Sequence, residues 1–336
     1  MSSSISGSDD ASAWGRCLAA CLGTLALCAA LIFAVMIAVD PYDSGRFGLL
    51  GIKGVSDANP RIANASRARD LQFDAAVIGD STAIPLSPTQ LSQKAGMRFV
   101  KLTAYGFDPR EQLATLDFYI RQHSRIGALV VVTNMPWCAR APLPALREAF
   151  PFWLYDGSAP DYAARLFSWR ALEHVAQRIM IGLGSRTREN PDGHVDYEEI
   201  WPPGEFRDTD IPREMVPTVA GKADDAFPFI MRLGTALEKL PADAPLVLVM
   251  PPTFRTLVPQ PGSVAAAENE ACAGALKRLV ERRARGNFID FRVDNALTRD
   301  PANFADVIHY RAKIARKMED GIAASIRLGK DAKIDF

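Results

Sequence analysis

Short apolar runs alternate with stretches of helical spacing over most of the chain. Five predominantly apolar runs have the length of buried strands, and they lie at residues 73–78, 97–102, 127–133, 245–250 and 287–291. Helices are predicted between them, because Ser87-Pro88 and Asp108-Pro109 each place a capping side chain before a proline at the first helical position. The pattern therefore predicts an α/β domain with a five-stranded parallel sheet that is flanked by helices.

The regular alternation is interrupted once. About 110 residues separate the third and fourth predicted strands, whereas such a connection normally takes far fewer. The segment at residues 138–225 is rich in proline and aromatic residues, and we interpret it as an insertion with at least one helix, over residues 161–181. It could form a small core of its own, a lid that stacks on sugar rings, or a surface that docks on a membrane partner.

Residues 17–39 carry no charged side chain, and about 23 residues are enough to span a bilayer as a helix. Arg16 precedes this run and Asp40 follows it, so the positive-inside rule places the N-terminus in the cytoplasm. A cleaved signal peptide is the competing interpretation, but the run is longer than a usual signal core. We expect a disordered cytoplasmic N-terminus at 1–16, a transmembrane anchor at 17–39, a connector at 40–70 and an extracytoplasmic domain at 71–330, periplasmic if the envelope has two membranes.

Composition narrows the possible partners. The 39 basic and 39 acidic side chains cancel, so nucleic acid is not an expected partner. Three of the five cysteines lie in the uncharged run, which leaves Cys138 and Cys272 for the rest of the chain. No spacing fits a metal site, and neither a metal nor a cofactor is expected. The two cysteines could pair in an oxidising compartment, but two isolated buried thiols are the favoured interpretation.

Three of the predicted strands end in residues with distinct chemical uses. Ser81 follows the first strand and supplies a hydroxyl nucleophile, Gly106 follows the second and offers a backbone N–H, and Asn134 follows the third and offers an amide. In open parallel sheets, ligands bind beyond the carboxyl ends of the strands. The N–H groups of Ser81 and Gly106 and the amide of Asn134 would together form an oxyanion hole.

A base for this nucleophile is predicted near the end of the chain. His309 is the only histidine with a carboxylate three residues before it. It would take the Ser81 proton, while Asp306 would hold the imidazole in the useful tautomer. Asp290 and Asp294 follow the last predicted strand and remain rival candidates for the orienting acid.

The order Gly79-Asp80-Ser81, Gly106, Asn134 and Asp306-Val307-Ile308-His309 resembles the SGNH (GDSL-type) hydrolase superfamily, over about residues 73–327. The resemblance implies a flavodoxin-like sheet, a Ser-His-Asp triad and a structural role for Asp80. The sequence departs from the family at Thr82, where leucine is common, and after Asn134, where Met-Pro-Trp replaces the common aspartate. With its anchor, the domain is also similar to DltD-like and alginate-acetylation-type proteins, which serve acylation of cell-surface polymers and often have a membrane-bound O-acyltransferase as partner.

These features lead us to expect a membrane-anchored serine esterase or O-acyltransferase that forms an acyl-enzyme on Ser81. The resemblance implies acyl esters, acetyl above all, on a cell-envelope glycan as the substrate. Two alternatives stay open. One is a catalytically inactive SGNH-like domain that binds the polymer or assembles with a membrane-bound O-acyltransferase, and the other is a thioesterase or lipase that faces the membrane surface. Hydrolysis and transfer differ only in the acceptor that the pocket admits.

Overall fold

A computed structural model describes residues 7–201, 206, 227–332, 334 and 336. Its described part contains five strands, which are β1 Ala75–Gly79, β2 Phe99–Thr103, β3 Ala128–Val132, β4 Leu246–Met250 and β5 Gly286–Asp290. The helices are α1 Gly7–Val39, α2 Pro60–Ala68, α3 Pro88–Ala95, α4 Pro109–Gln122, α5 Phe152–Tyr155, α6 Ala159–Leu166, α7 Trp169–Gly182, α8 Tyr197–Ile200, α9 Pro228–Leu237, α10 Val264–Glu281, α11 Ala296–Arg299 and α12 Ala312–Leu328.

The five strands form one sheet in which every neighbouring pair is parallel. The strand order is β2-β1-β3-β4-β5. The chain leaves β1 for β2 on one side and later returns to β3 on the other side, so the order reverses at β1. This reversal opens a crevice at the carboxyl ends of β1 and β3, where ligands bind in open α/β sheets. The α/β class and the five-stranded parallel sheet flanked by helices are confirmed.

Alternate side chains of each strand point into two apolar layers. Ala76 and Ile78 of β1 belong to a core that also contains residues of α2, α4, α9 and α10. Ala75 and Val77 belong to the opposite core, which is formed with α3 and α12. Because both faces of the sheet are covered, the three central strands β1, β3 and β4 are apolar throughout rather than alternating with polar residues.

The N-terminal helix α1 is 33 residues long, and its part Ala13–Val39 has a mean hydropathy of 2.7. It is therefore long and apolar enough to cross a membrane, and within the described residues it is the one helix that meets this criterion. The expected disorder over residues 1–16 is wrong for residues 7–16, which are helical, while residues 1–6 lie outside the described part. The last turn is buried in the domain, since Met36 and Val39 belong to the same core as Ile78.

Helix α2 lies inside the segment that was expected to be a connector. The Asn59 side chain accepts the Arg61 N–H at 2.9 Å, and Pro60 occupies the first helical position. Its Asn64 side chain donates to the Thr103 carbonyl at 3.1 Å, which fixes the end of β2. The connector prediction missed this helix, although Asn59-Pro60 is the same start signal that marks α3 and α4.

The insertion contributes several helices to the fold, which agrees with the prediction of at least one. The helix expected at residues 161–181 is divided into α6 and α7, because Ser168 starts a new helix by accepting the Ala171 N–H at 3.2 Å. Buried insertion side chains such as Tyr155 and Tyr162 join the core that contains the end of α1. This part of the insertion therefore extends the main core. Residues 202–205 and 207–225 of the predicted segment lie outside the described part.

Cys138 and Cys272 form a disulfide with a Cα–Cα distance of 5.6 Å. The expectation of two isolated thiols is wrong, because the fold brings the start of the insertion against α10 across 134 residues of sequence. The bond closes a loop that contains the whole described insertion. Such a long closed loop restricts the unfolded chain strongly.

We predict that the double variant Cys138→Ser/Cys272→Ser lowers the free energy of unfolding by about 2–5 kcal/mol. The measurement is urea unfolding of the full-length protein in detergent. The matched control replaces Cys17, Cys21 and Cys28, which are free and exposed on α1, and it should leave the midpoint unchanged. Equal midpoints for wild type and the double variant would contradict a stabilising disulfide.

Candidate active site

Ser81 lies directly beyond the carboxyl end of β1. Asp80 caps a short 3₁₀ helix, Ser81–Ala83, by accepting the Thr82 N–H at 2.9 Å. The turn is tight at Gly79, where an added Cβ would lie 2.7 Å from the Ala83 Cβ and 2.9 Å from the Val132 Cβ. Glycine is therefore needed here so that the strand can turn at once into the 3₁₀ helix.

His309 is held in a loop that an antiparallel bridge between Phe304 and Tyr310 closes. Within the loop, Asp306 Oδ1 accepts the backbone N–H groups of Ile308 at 2.9 Å and His309 at 2.8 Å. The other oxygen, Oδ2, lies 2.6 Å from His309 Nδ1. One carboxylate thus fixes both the loop and the ring.

The structure brings the serine and the histidine together. Ser81 Oγ lies 2.8 Å from His309 Nε2. Since Asp306 accepts a hydrogen bond at Nδ1, that nitrogen carries the ring proton and Nε2 is left as the acceptor for the Ser81 hydroxyl. The three predicted residues therefore form a continuous chain of hydrogen bonds from hydroxyl to carboxylate.

The two other candidates for the orienting acid form ion pairs with arginines and do not bind His309. Asp290 pairs with Arg292 at 2.7 Å, and Asp294 pairs with Arg299 at 2.6 Å. Burial opposes ionisation of Asp306, but the hydrogen bonds from the His309 ring and from two backbone N–H groups outweigh it, so its pKa lies below the ordinary value. Asp306 is therefore the carboxylate that orients the imidazole, and it stays ionised at neutral pH.

Asn134 follows β3, and its side chain points toward the turn at Ser81. Its amide nitrogen donates a hydrogen bond to Asp80 Oδ2. An amide nitrogen carries two hydrogens, so the second N–H of Asn134 can still donate a hydrogen bond. Burial raises the pKa of Asp80, and the hydrogen bonds from Thr82 lower it again only in part. Asp80 therefore links the two strand ends as a buried acceptor, a contact that the sequence did not predict.

The third predicted donor, Gly106, lies in the loop after β2, next to β1 in the sheet. Its φ of +61° is a left-handed conformation that favours glycine, and no atom lies within 4 Å of where a Cβ would be. Arg61 holds this loop by donating to the Tyr105 carbonyl at 2.9 Å. Among the described residues, no backbone or side-chain oxygen accepts a hydrogen bond from the N–H group of Ser81 or of Gly106.

An insertion residue that the sequence did not single out covers the histidine. The Trp201 ring stacks on the His309 ring, with centroids 5.6 Å apart and planes 24° apart. Arg311 fixes it by donating to the Trp201 carbonyl at 2.8 Å and by pairing with Glu198 at 2.9 Å. The aromatic content of the insertion was visible in the sequence, but this docking joins residues more than a hundred positions apart and has no local signal.

No group of three or more histidine, cysteine, aspartate or glutamate side chains within the described ranges could hold a metal ion. A scan against protein-family models matches no family, and a search of curated proteins finds no significant match.

We predict that Trp201→Ala changes the environment of His309 and of no other histidine. The chain has four histidines, so ¹³C-labelled imidazoles give four ring signals. Loss of the stacked indole should move the one signal that His309→Asn removes, because that ring lies against the indole face. Trp14→Ala, on the exposed part of α1, is the matched control and should move none. An unmoved His309 signal in Trp201→Ala would contradict the stack.

Proposed function

We propose that this protein is a serine esterase or O-acyltransferase that forms an acyl-enzyme on Ser81. The observation that carries the proposal is the hydrogen-bonded chain from Ser81 Oγ through His309 to Asp306, with distances of 2.8 and 2.6 Å. An alcohol becomes a useful nucleophile when an oriented base lies within hydrogen-bond reach. Here the base and its orienting acid both meet that condition.

In the first half-reaction, Ser81 Oγ attacks the ester carbonyl while its proton passes to His309 Nε2. Asp306 stabilises the imidazolium that forms. The tetrahedral intermediate then collapses, the bond to the leaving alcohol breaks, and His309 returns the proton to that alcohol. In the second half-reaction, His309 takes a proton from water or from a sugar hydroxyl, whose oxygen attacks the acyl-enzyme. The second tetrahedral intermediate collapses, the bond between the acyl carbon and Ser81 Oγ breaks, and His309 returns the proton to Ser81 Oγ. The products are an acid in hydrolysis and a new ester in transfer.

The negative oxygen of each intermediate needs donors that are already in place. The N–H groups of Ser81 and Gly106 and the second amide hydrogen of Asn134 supply them in our proposal. Support comes from the sheet, because the three residues follow β1, β2 and β3, which are neighbours at the same edge. The bond from Asn134 to Asp80 would hold the amide in position for this role.

We also propose membership of the SGNH (GDSL-type) hydrolase superfamily with its flavodoxin-like sheet. Support comes from the strand order β2-β1-β3-β4-β5 and from the order of Gly79-Asp80-Ser81, Gly106, Asn134 and His309 along the chain. The departures at Thr82 and after Asn134 concern the surroundings of the nucleophile. In this structure the Thr82 hydroxyl donates to Asp80 at 2.6 Å, so threonine supports the turn.

The catalytic domain would be held at the outer surface of a membrane by an uncleaved α1. Burial of Met36 and Val39 in the core supports retention of the helix, because cleavage after it would remove core side chains. The disulfide between Cys138 and Cys272 supports an oxidising compartment for the domain. The positive-inside rule with Arg16 agrees with this orientation.

The substrate would be an acyl ester, acetyl above all, of a cell-envelope glycan, and a membrane-bound O-acyltransferase would be the partner that supplies or takes the acyl group. This part of the proposal rests on the similarity to DltD-like and alginate-acetylation-type proteins.

We predict that Ser81→Ala, His309→Ala and Asp306→Asn each lower turnover of a chromogenic acetyl ester by about 10⁴-fold or more. The reason is that the nucleophile, its base and the tautomer of the base act as one unit. The measurement is kcat of the full-length protein in detergent, with the triple variant alongside. The triple variant should lose little more than Ser81→Ala alone, because groups that act together are not additive.

Matched controls are Ser124→Ala and His194→Ala, which replace exposed residues of the same types and should keep full turnover. Wild-type turnover in any of the three triad variants would remove that residue from the proposed chemistry. A wild-type protein that turns over no acetyl ester would favour the binding or assembly role instead.

A further inference from the structure

Helix α7 has one face buried in the domain and a second, apolar face that is exposed. Ala171, His174, Val175 and Arg178 face the domain. The apolar residues on its exposed side recur at helical spacing and form an outer stripe, which consists of Trp169, Ala176, Ile179, Met180 and, directly after the helix, Leu183. Trp169 is 75% exposed and Leu183 is 76% exposed. An outward apolar stripe along a 14-residue helix is unusual for a surface in water.

The corner that leads into α7 touches the apolar helix α1. The Phe167 ring, which is 69% exposed, stacks on the Phe33 ring with centroids 4.9 Å apart and planes 8° apart. Phe33 lies within Ala13–Val39, the part of α1 that is long and apolar enough to cross a membrane. It is six residues before the end of that helix, which at the rise of an α-helix is about 9 Å back along the axis. Because α1 is buried in the domain from Met36 onward, Phe167 lies beside the last exposed part of the apolar run.

A second apolar segment lies beside the last turn of α1, about one helical turn beyond Phe33. The Gly48 N–H donates to the Ile37 carbonyl at 3.0 Å, and the Leu50 N–H donates to the Ala38 carbonyl at 3.2 Å. These bonds hold the loop beside the last turn of α1. Leu49, which the loop carries between them, is 85% exposed.

Buried polar contacts fix α7 to the segment that follows α1. Arg178 lies 3.1 Å from Asp43 and donates to the Gly54 carbonyl at 3.0 Å. Tyr162 of α6 donates to Asp40 directly after the helix. The outer stripe of α7 and the end of α1 therefore move as one unit, and a bilayer crossed by α1 must meet this part of the domain.

We propose that the domain lies on the bilayer through a lipid-contact surface, defined as Leu49, Leu50, Phe167 and the outer stripe of α7. The occupant is the lipid at the boundary of the leaflet where α1 ends. Aromatic and aliphatic side chains suit this boundary, and an amphipathic helix can lie in its plane. The proposal rests on the span that we assign to α1, and it does not depend on any catalytic activity.

The test uses spin labels in the full-length chain, reconstituted in lipid vesicles that contain no other protein. Cys17, Cys21 and Cys28 are replaced by alanine, which removes the free thiols of the described part. Single labels are then introduced by Phe167→Cys, Trp169→Cys and Leu183→Cys. Collision with oxygen, which concentrates in lipid, is compared with collision with a water-soluble nickel chelate.

Two reference positions calibrate the oxygen and nickel accessibilities, so the result does not depend on whether the protein is an enzyme. Leu25→Cys labels an exposed residue within the span and reports the lipid signal. Leu328→Cys labels an exposed residue at the end of α12, on the opposite face of the sheet, and reports the water signal. We expect oxygen to dominate at positions 167, 169 and 183, as it does at position 25.

Nickel accessibility like that of position 328 at all three sites would overturn the proposal and leave the stripe to a protein partner. If position 25 itself reports water, the span fails, and this inference fails with it. Thermal unfolding of each labelled variant shows whether the fold is kept. Leu183→Cys serves as the variant least able to disturb packing, because its side chain is three-quarters exposed.

Discussion

The hydrogen bond between Ser81 Oγ and His309 Nε2 joins residues 228 positions apart, and the candidate site depends on it. Local contacts hold both residues of this hydrogen bond in place. Gly79 lets β1 turn at once into the 3₁₀ helix that begins at Ser81, and Asp306 binds both the ring and the backbone of the His309 loop. The bond forms because two rigid turns meet at one edge of a parallel sheet. Side chains that are in position before a substrate binds need little rearrangement during the reaction, which lowers its free-energy cost.

Residues from the insertion complete this arrangement. Trp201 lies against the face of the His309 ring, and Arg311 at the start of α12 holds the Trp201 backbone in place. The middle of the insertion contacts α1 through the corner between α6 and α7. Its beginning is joined to α10 by the disulfide between Cys138 and Cys272. The same segment therefore reaches the candidate active site, the core and the apolar helix. Its aromatic content reflects these contacts.

Local patterns predicted the framework well. Apolar runs located all five described strands, and the pairs Ser87-Pro88 and Asp108-Pro109 located the starts of α3 and α4, because strand burial and helix capping act over a few neighbouring residues. The meeting of Ser81, His309 and Asp306 was also predicted, from the position of Ser81 at a strand end, from the spacing of Asp306 and His309, and from the resemblance. Their catalytic role remains a prediction.

Contacts between distant segments that belong to no recognised motif were the part that could not be predicted. The disulfide, the bond from Asn134 to Asp80 and the stack of Trp201 on His309 each depend on how far-separated segments pack, and none has a short-range signature. The early start of α1 at Gly7 was missed for another reason. Its first residues are polar, and they become helical because they extend, toward the N-terminus, the helix that the apolar run forms.

The most direct test of the account is the reaction of the full-length protein with a fluorophosphonate, followed by mass spectrometry of its peptides. Such a reagent bonds only to a serine that an oriented base has activated. The account predicts one adduct, on Ser81, which is lost when His309 is replaced by alanine. A protein that stays unmodified, or one that is modified at a different serine, would contradict it.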